Sequence, residues 1–368
     1  MSSDPETQAF CESAFKDFMK ANGVLISACD ALPVTGALER HGHRDIPFAK
    51  KPVEERLDPS HFLKNAKSVI CLIAPYGKPQ LPEAKSGGLV SAMAACEDYH
   101  ARIKGLLLEL ARMIQEKISF KYKIFVDSGL LMEKEWCVKT GLAFWGKNCL
   151  AVSPLKGSFF NIGLMVVDFE IAFKADGAFG DEAQDDMANQ AQDDMAGQEQ
   201  DDIANKSQTQ ADLDKKTQTQ ADLDKKPQTP APNPAPRLSG GCGECRLCVD
   251  ACPSKAINSS GYVLDHAKCV SYLTQKQALE NSEQALLKGW LHGCDVCQAV
   301  CPYNKQGGAW TAKPAVVSLD WAMSLDEAQY KEAFGNTSAG WKPLELLKRN
   351  AQTAKERQER QERRFASE

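Results

Sequence analysis

Apolar and polar positions alternate between helical and strand spacing along the first 173 residues. Apolar side chains recur every three or four residues over 99–118, which predicts an amphipathic helix, and 130–139 predicts another. Short apolar runs of strand length occupy 68–74, 122–126 and 159–167. The first twenty residues also have an amphipathic helical pattern. This mixture predicts an α+β or α/β domain with a core of its own.

Residues 174–236 break this pattern. QDDMA begins at Gln184 and again at Gln192, QDDIA begins at Gln200, and a ten-residue repeat ending in ADLDKK then occurs twice before a Pro-rich end. Because few large apolar groups are present to offset the entropy of ordering, we expect a disordered spacer here.

The spacer masks the charge of the rest of the chain. The 368-residue chain carries −5 at pH 7, whereas 174–236 holds 14 acidic and 6 basic residues, so the remainder carries +3. A mildly basic body is compatible with a nucleic-acid substrate, although a solvated charged surface gives the same balance. The tail 348–365 is more plainly basic, which predicts either a frayed C-terminal helix or a phosphate-contacting one.

Neither a membrane span nor a secretory signal is visible. No run of 18 or more apolar residues occurs, and the N-terminus lacks a basic and then apolar signal region. We therefore expect a cytoplasmic protein with no membrane partner. Six scattered cysteines show no pairing pattern and are expected to be buried free thiols: Cys11, Cys29, Cys71, Cys96, Cys137 and Cys149.

Eight further cysteines form two runs with one cysteine between them. The first run, C-x2-C-x2-C-x3-C-P, starts at Cys242, and the second, C-x2-C-x3-C-P, starts at Cys294. In two-cluster ferredoxins each [4Fe–4S] cube takes four thiolates, and the last cysteine of each run binds the other cluster. That crossing gives the first cluster the ligands Cys242, Cys245, Cys248 and Cys301. It gives the second cluster the ligands Cys252, Cys269, Cys294 and Cys297.

Zinc sites and disulfides are the alternatives for such a cysteine set. Structural zinc sites usually take two C-x2-C pairs separated by a loop, and they do not need two runs that close on x3-Cys-Pro. Disulfides are rare in the cytosol. The spacing therefore favours two iron–sulfur clusters and the transfer of single electrons to an acceptor that the spacing does not identify.

These patterns divide the chain into four parts. They are an N-terminal domain (1–173), the spacer (174–236), a two-cluster module of short helices (237–310) and a C-terminal segment with a basic tail (311–368). No G-x-G-x-x-G follows a strand and no P-loop motif occurs, so neither kind of nucleotide site is indicated.

Short motifs follow one another in a fixed order through both folded parts. In the N-terminal part they are Glu55-Arg56-x-Asp-Pro, Asp98-Tyr99-His100, Val126-Asp127-Ser-Gly, Gly146-Lys147-Asn148 and Gly157-Ser158-Phe159-Phe160. After them come the cysteine runs, Cys269-Val-Ser-Tyr-Leu-Thr-Gln275, Gly293-Cys294-Asp295-x-Cys297-Gln298, Phe334-Gly335 and Arg349-Asn350. In this order and spacing they resemble the epoxyqueuosine reductase family of tRNA-modifying enzymes.

The resemblance implies a fold, two kinds of cofactor and a reaction. An α/β cobalamin-binding domain would precede a ferredoxin-like α module, with base-off cobalamin between them reduced by one of two [4Fe–4S] clusters. The enzyme would remove the epoxide oxygen of epoxyqueuosine as water and leave queuosine, the last step of queuosine biosynthesis. Its substrate would be wobble position 34 of tRNAs with GUN anticodons (Asp, Asn, His and Tyr). A low-potential electron donor and a monomeric enzyme are further expectations.

Asp127 stands at the family's catalytic position, and the resemblance implies that it protonates the departing oxygen. For this it would have to stay protonated near neutral pH, which requires a poorly solvated pocket. Considered without the resemblance, an Asp between a strand and a helix is more often a helix N-cap.

The resemblance also implies a set of cobalamin contacts. They are Arg56, Ser91, Asp98, Tyr99, His100, Asp127, Lys134, Ala151, Ile162 and Ser271. Without the resemblance these residues have ordinary interpretations, such as a solvated Arg56 or a core Ile162. Lys134 departs from the family, which usually has Arg there, so a single ammonium replaces a forked guanidinium.

Two other functions are compatible with parts of the sequence. A corrinoid reductive dehalogenase joins cobalamin to the same kind of module, but it usually carries an export signal and a Tyr-centred proton donor. A ferredoxin-like electron carrier or corrinoid activator would need only the C-terminal module, and it would leave the N-terminal motifs unexplained.

Overall fold

A computed structural model describes residues 5–34, 51–177, 241–305 and 308–367, with the backbone alone for 365–367. The predicted spacer lies outside the described residues from 178 onward. The helices are α1 (Pro5–Asn22), α2 (Val53–Leu57), α3 (Ala92–Ala95), α4 (Tyr99–Gln115), α5 (Glu133–Lys139), α6 (Leu247–Ala251), α7 (Val270–Leu273), α8 (Asn281–Leu286), α9 (Val296–Ala299), α10 (Leu319–Ser324), α11 (Glu327–Phe334) and α12 (Leu344–Ser367). The strands are β1 (Leu25–Asp30), β2 (Ser68–Pro75), β3 (Gly88–Val90), β4 (Tyr122–Phe125), β5 (Phe144–Trp145), β6 (Ala151–Val152), β7 (Phe160–Val167), β8 (Trp290–His292) and β9 (Ala315–Val317).

The N-terminal part is built on a four-stranded sheet in the order β1-β2-β7-β4. Every pairing in it is antiparallel, with Cys71 opposite Leu164 and Ile73 opposite Ile162. The three strands predicted from the apolar runs are confirmed within one residue at each end. Antiparallel pairing makes this part α+β, because a parallel α/β sheet would need crossover connections between neighbouring strands.

Both faces of this sheet are covered, which explains why its central strands β2 and β7 are apolar at most positions, with Ser68 and Asn161 as the polar exceptions. On β2, Ile70 and Leu72 pack with α1 and α4, whereas Val69 and Cys71 pack with Trp136 of α5. A strand buried on both faces loses the usual apolar–polar alternation. Each aliphatic side chain fully buried in this way stabilises the fold by roughly 1.5–3 kcal/mol.

A second sheet joins distant parts of the chain. Its central strand β3 runs parallel to β8 of the cluster module and antiparallel to β9 of the C-terminal segment. Val90, Leu291 and Val317 contribute to the apolar core beneath it, together with α10, α11 and α12. The three short strands therefore hold the N-terminal part and the cluster module together. The predicted domain boundaries are not decided by this arrangement and stay predictions.

The basic tail (348–365) forms most of α12, so it is helical, as both interpretations of it require. Near the start of this helix, Asn350 Nδ2 donates to the carbonyls of Thr274 and Leu291, each at 2.8 Å. Arg349 Nη1 donates to the carbonyls of Lys276 and Gln277 at 2.6 and 2.8 Å. These bonds fix α12 against the cluster module. Within the described ranges, the model contains no helix with the length and apolar character that a bilayer crossing requires.

Gly163→Ala in β7 should destabilise the protein. A Cβ atom at this buried position would overlap Ile103 Cγ2 and lie 2.8 Å from Leu107 Cδ1 of α4. Overpacking of this kind costs about 1–3 kcal/mol, so the melting temperature should fall by several degrees. Gly105→Ala on the exposed side of α4 is the matched control, because nothing lies within 4 Å of its Cβ position. It should stabilise the helix by roughly 0.5–1 kcal/mol. Shifts of the same sign in both variants would contradict this packing.

Candidate active site and cluster sites

The four cysteines predicted to bind the first cluster surround a single cavity. Cys242, Cys245, Cys248 and Cys301 all line it, and Tyr303 forms part of its apolar wall. Burial raises the pKa of Cys248 to about 12 and that of Cys301 to about 11. Other cysteines of the same set add to both shifts. Because iron binds the thiolate, loading the cluster must release these protons.

The other four sulfurs form a second, adjacent group. Burial raises the pKa of Cys294 to about 12, and the charges of Cys269 and Cys252 add to the rise. Burial also raises the pKa of Cys297, with further contributions from Cys294, Cys269 and Cys252 of this group and from Cys248 of the first group. The cysteines whose charges raise the pKa of each thiol therefore belong mostly to the same predicted ligand set as that thiol.

The cavity between the sulfurs of the first set suits a multi-iron cube. Cysteines arranged around a cavity leave room for a cluster in which each thiolate binds a different iron. In the described part of the chain, no group of three or more His, Cys, Asp or Glu side chains is placed to hold one metal ion.

Lys147 connects the N-terminal part to the first cluster site. Its backbone amide donates to Cys242 Sγ at 3.3 Å, and its Nζ donates to the carbonyl of Gly243 at 2.7 Å. Hydrogen bonds to ligating sulfurs are one of the factors that set a cluster's reduction potential. Sequence reasoning gave Lys147 no role of its own, although it lies inside the quoted Gly146-Lys147-Asn148 motif.

Asp295 fixes the loop of the second cluster against α3. Its buried Oδ2 accepts a hydrogen bond from the amide of Ala92 at 2.6 Å. Burial raises the pKa of this carboxyl to about 6. Next to Ala92, Ser91 is buried, and its amide donates to the carbonyl of His292 at 2.8 Å. Ser91 therefore lies beside the loop that carries Cys294.

Asp127 and Tyr99 form a hydrogen-bonded pair at the candidate active site. Tyr99 Oη donates to Asp127 Oδ2 at 2.6 Å, and Asp127 is exposed, so the described residues do not form the poorly solvated pocket expected around it. The backbone of Asp127 is left-handed (φ 43°), and Gly129 follows with φ 66°. The N-cap of α5 is Met132, so the capping interpretation of Asp127 is wrong. The turn instead directs the Asp127 carboxylate toward Tyr99 of α4.

Glu133 is a second carboxylate of this site that sequence reasoning missed. Its Oε1 accepts a hydrogen bond from the amide of Ser128 at 3.2 Å, which holds the turn that follows Asp127. Burial raises the pKa of Glu133, and the charge of Asp127 adds to the shift. An acidic residue in the first turn of a helix ordinarily interacts with the helix dipole, so the sequence offered no signal for this role.

Arg56 and Lys134 are the cations near Asp127. Arg56 is buried, and among the described residues its Nε and Nη1 have no hydrogen-bond partner. The Lys134 ammonium lies in an open cleft, where its Nζ donates to the carbonyl of Cys149 at 3.3 Å. The protein atoms around that cleft desolvate the ammonium and lower its pKa. Asp127 and Cys297 both act on Lys134 electrostatically, which places the site near the second cysteine group.

The remaining predicted contacts occupy different surroundings. Asp98 caps α4 by accepting from the amide of His100 at 2.8 Å, and the His100 ring stacks on Tyr99 with centroids 4.3 Å apart. Ala151 is buried and Ile162 is half-buried in the apolar cluster around α5. Ser271 is half-buried on α7, two residues after Cys269. No described contact joins Ser91 or Ser271 to Asp127.

Fold and site together define a class of protein: an α+β domain with a polar cleft, joined to a double iron–sulfur cluster module. Residues 241–304 match a family model described as a 4Fe-4S double cluster binding domain. Residues 56–128 match the model described as epoxyqueuosine reductase QueG, DUF1730. The first match lies inside the predicted two-cluster module.

Relatives extend these matches over most of the chain. An epoxyqueuosine reductase of Cyclobacterium marinum is 28% identical over 301 residues, covering 81% of this chain and 77% of the relative. One of Leadbetterella byssophila is 29% identical over 328 residues, covering 87% of each. The solved epoxyqueuosine reductase of Streptococcus thermophilus shares the fold, with a TM-score of 0.68, 24% identity and coverage of 92% of this chain and 79% of that one. These matches support the family predicted from the motifs: the chain is similar to epoxyqueuosine reductases over most of its length.

Ligand substitutions should reveal the crossing of the two cysteine runs. Cys242→Ser and Cys301→Ser come from different runs but should each remove the same cluster, because both sulfurs line one cavity. The double variant should then retain about half of the wild-type iron, as each single variant does, whereas Cys242→Ser with Cys297→Ser should retain almost none. Iron analysis and Mössbauer spectroscopy of anaerobically reconstituted protein measure this.

Cys29→Ala is the control for thiol loss, because Cys29 is a buried free thiol on β1 outside both groups. Its iron content should equal that of wild type. If Cys242→Ser with Cys301→Ser lost both clusters while each single variant lost one, each run would hold its own cluster and the crossing would be wrong.

Proposed function

We propose that this chain is an oxidoreductase that reduces epoxyqueuosine to queuosine at the wobble position of tRNA. The observation that carries the proposal is the Tyr99–Asp127 pair, held in a left-handed turn close to the second cysteine group. The named relatives are epoxyqueuosine reductases, and one solved relative is described with an epoxyqueuosine-modified stem loop of a tyrosine tRNA. They support the substrate and the reaction.

The reaction needs two electrons and two protons, because the epoxide oxygen leaves as water while a carbon–carbon double bond forms. The clusters supply electrons singly, and the protein must supply protons at the oxygen. Tyr99 donates to Asp127 Oδ2 and leaves Oδ1 available to the substrate. Burial raises the pKa of Tyr99, and the Asp127 charge adds to the shift, so Tyr99 keeps its proton and positions the carboxyl.

A corrinoid fits the unsatisfied groups of this cleft. Two buried N–H groups of Arg56 have no described partner, and a ring bearing amide side chains would supply acceptors for them. Arg56, Tyr99, His100 and Lys134 would hold its polar rim, while Ala151 and Ile162 would supply apolar contact. Once bound, cobalamin would supply a cobalt centre able to gather single electrons for a two-electron reduction.

The proposal extends to partners and location. The family resemblance implies a tRNA with a GUN anticodon as the substrate, and its unpaired loop bases are the usual target of sequence-specific RNA recognition. A low-potential carrier would reduce the clusters, and a monomer would act in the cytoplasm. These partners remain predictions from the family resemblance.

Asp127→Asn should sharply reduce turnover, because the amide cannot deliver the proton that the departing oxygen needs. A positioned general acid contributes about 10²–10⁴-fold, so the rate should fall by that amount while both clusters remain bound. Nucleoside mass spectrometry of epoxyqueuosine-containing tRNA, after anaerobic incubation with cobalamin and a strong reductant, measures the conversion. Asp17→Asn on the exposed side of α1 is the control and should convert at the wild-type rate. Equal rates for all three proteins would remove Asp127 from the mechanism and leave the function standing.

Arg56→Gln should weaken cobalamin binding. Loss of charge-assisted hydrogen bonds from a buried guanidinium costs about 1.5–3 kcal/mol, which corresponds to roughly a 10–100-fold higher Kd. Titration of the cobalamin absorbance with cluster-loaded protein measures the affinity. Arg112→Gln is the matched control, because it removes the same charge from the exposed side of α4. It should bind cobalamin with the wild-type affinity. Unchanged affinity in Arg56→Gln, with iron content intact, would return Arg56 to a structural role.

A further inference from the structure

A polar cleft lies between the cluster module and the C-terminal helix, apart from the Asp127 site. Gln284 of α8, Lys288 and Gly289 form one wall, and Thr353, Arg357 and Arg360 of α12 form the other. The cleft is open to solvent and has a volume of about 340 Å³, which is large enough for a phosphate group.

The charge of this cleft is mainly positive. The cleft is lined by three cationic side chains, those of Lys288, Arg357 and Arg360, and by one carboxylate, that of Glu356. Glu356 Oε1 already accepts a hydrogen bond from Gln352 at 2.9 Å, and its Oε2 lies 3.9 Å from Arg360 Nη1. Lys288 and Arg357 make no hydrogen bond or ion pair with any residue that the structure describes. Two cations therefore face the same space with their donors available to an anion.

The arrangement on α12 follows from helical spacing. Arg349, Thr353, Arg357 and Arg360 recur at intervals of three or four residues, so they lie along one side of the helix. Arg349 is fixed on the carbonyls of the cluster module, which sets the direction in which the following turns face. Arg357 and Arg360 consequently lie on the side of α12 that faces α8, with Arg357 half-buried and Arg360 exposed.

The cleft lies within reach of the second cluster site. Gly289 precedes Cys294 by five residues, and strand β8 connects the two. An extended chain spans at most about 3.6 Å per residue, so the cleft edge lies no more than about 18 Å from that ligand. A nucleic acid whose reacting nucleotide enters the Asp127 site carries neighbouring phosphates that extend over distances of this order.

We propose that this cleft binds a backbone phosphate of the tRNA outside the reacting nucleotide, through Lys288, Arg357 and Arg360. The proposal rests on the function proposed above and names a part of the substrate surface that the catalytic residues do not explain. The phosphodiester oxygens would accept hydrogen bonds from the two free cations, and the amide of Gln284 would add a neutral contact. Contacts of this kind position the RNA without reading its sequence.

The test compares two double variants. The cleft variant carries Lys288→Gln and Arg357→Gln, and the control variant carries Arg112→Gln and Lys117→Gln, which change the net charge by the same amount. Both control residues are exposed and away from the cleft, with Arg112 in the last turn of α4 and Lys117 two residues after its end. Holoprotein with clusters and cobalamin is titrated with a fluorescent anticodon stem loop at several salt concentrations. Each lost phosphate contact should lower the slope of log K against log[salt] by about 0.7–0.9, and because the cleft is proposed to bind one phosphate, the cleft variant should lose about that much in slope. Its KM for modified tRNA should rise about tenfold with kcat unchanged.

The possible results test the phosphate site and the proposed reaction independently. If the cleft variant had normal iron content, and its KM and its slope of log K against log[salt] equalled those of the control, the phosphate site would be wrong. A reduced slope in the cleft variant supports the site, even if the wild-type protein fails to convert the tRNA. Failure of wild-type conversion by holoprotein would instead overturn the proposed reaction, because stem-loop binding is measured independently of turnover.

Discussion

The structure of the cluster module depends on one constraint: the cavity at the first predicted cluster site is lined by sulfurs from both cysteine runs. Cys248 and Cys301 line this cavity although 53 positions separate them in the chain. With the predicted ligands, neither run would complete this site alone, and iron binding would close the long loop between them. Because an unfolded chain has no preformed site, the free energy of iron binding becomes part of the folding free energy of this module.

The N-terminal part supplies the buried polar contacts that hold this module in place. Asn304 Oδ1 accepts from the amide of Ser158 at 2.7 Å, and the Ser158 hydroxyl donates to Gln298 Oε1 at 3.0 Å. Gly157 permits this approach, because a Cβ atom there would overlap Asn304 Oδ1. Leaving one such buried group unpaired costs about 1–3 kcal/mol, so these contacts fix the orientation of the module. A fixed orientation keeps the distance between electron donor and reacting centre short.

Prediction from sequence succeeded where the signal was local. The apolar runs identified β2 and β7, since both faces of these strands are buried, and the cysteine spacing identified the module that the double-cluster match supports. The role of Asp127 was ambiguous, because an N-cap and a carboxylate aimed at Tyr99 look alike in sequence. Glu133 gave no signal, because its contact with Ser128 depends on a turn that only the folded backbone shows.

Residue type and spacing alone predict the long central strands, the cysteine chemistry of the clusters and the order of the family motifs, because these are local properties of the chain. Which groups meet depends on how the folded chain packs. The tertiary structure joined β3 to β8 and β9, placed Tyr99 on Asp127, and set Arg357 opposite Lys288. Contacts between residues far apart in the chain depend on how whole elements pack, and short-range patterns carry no information about that packing.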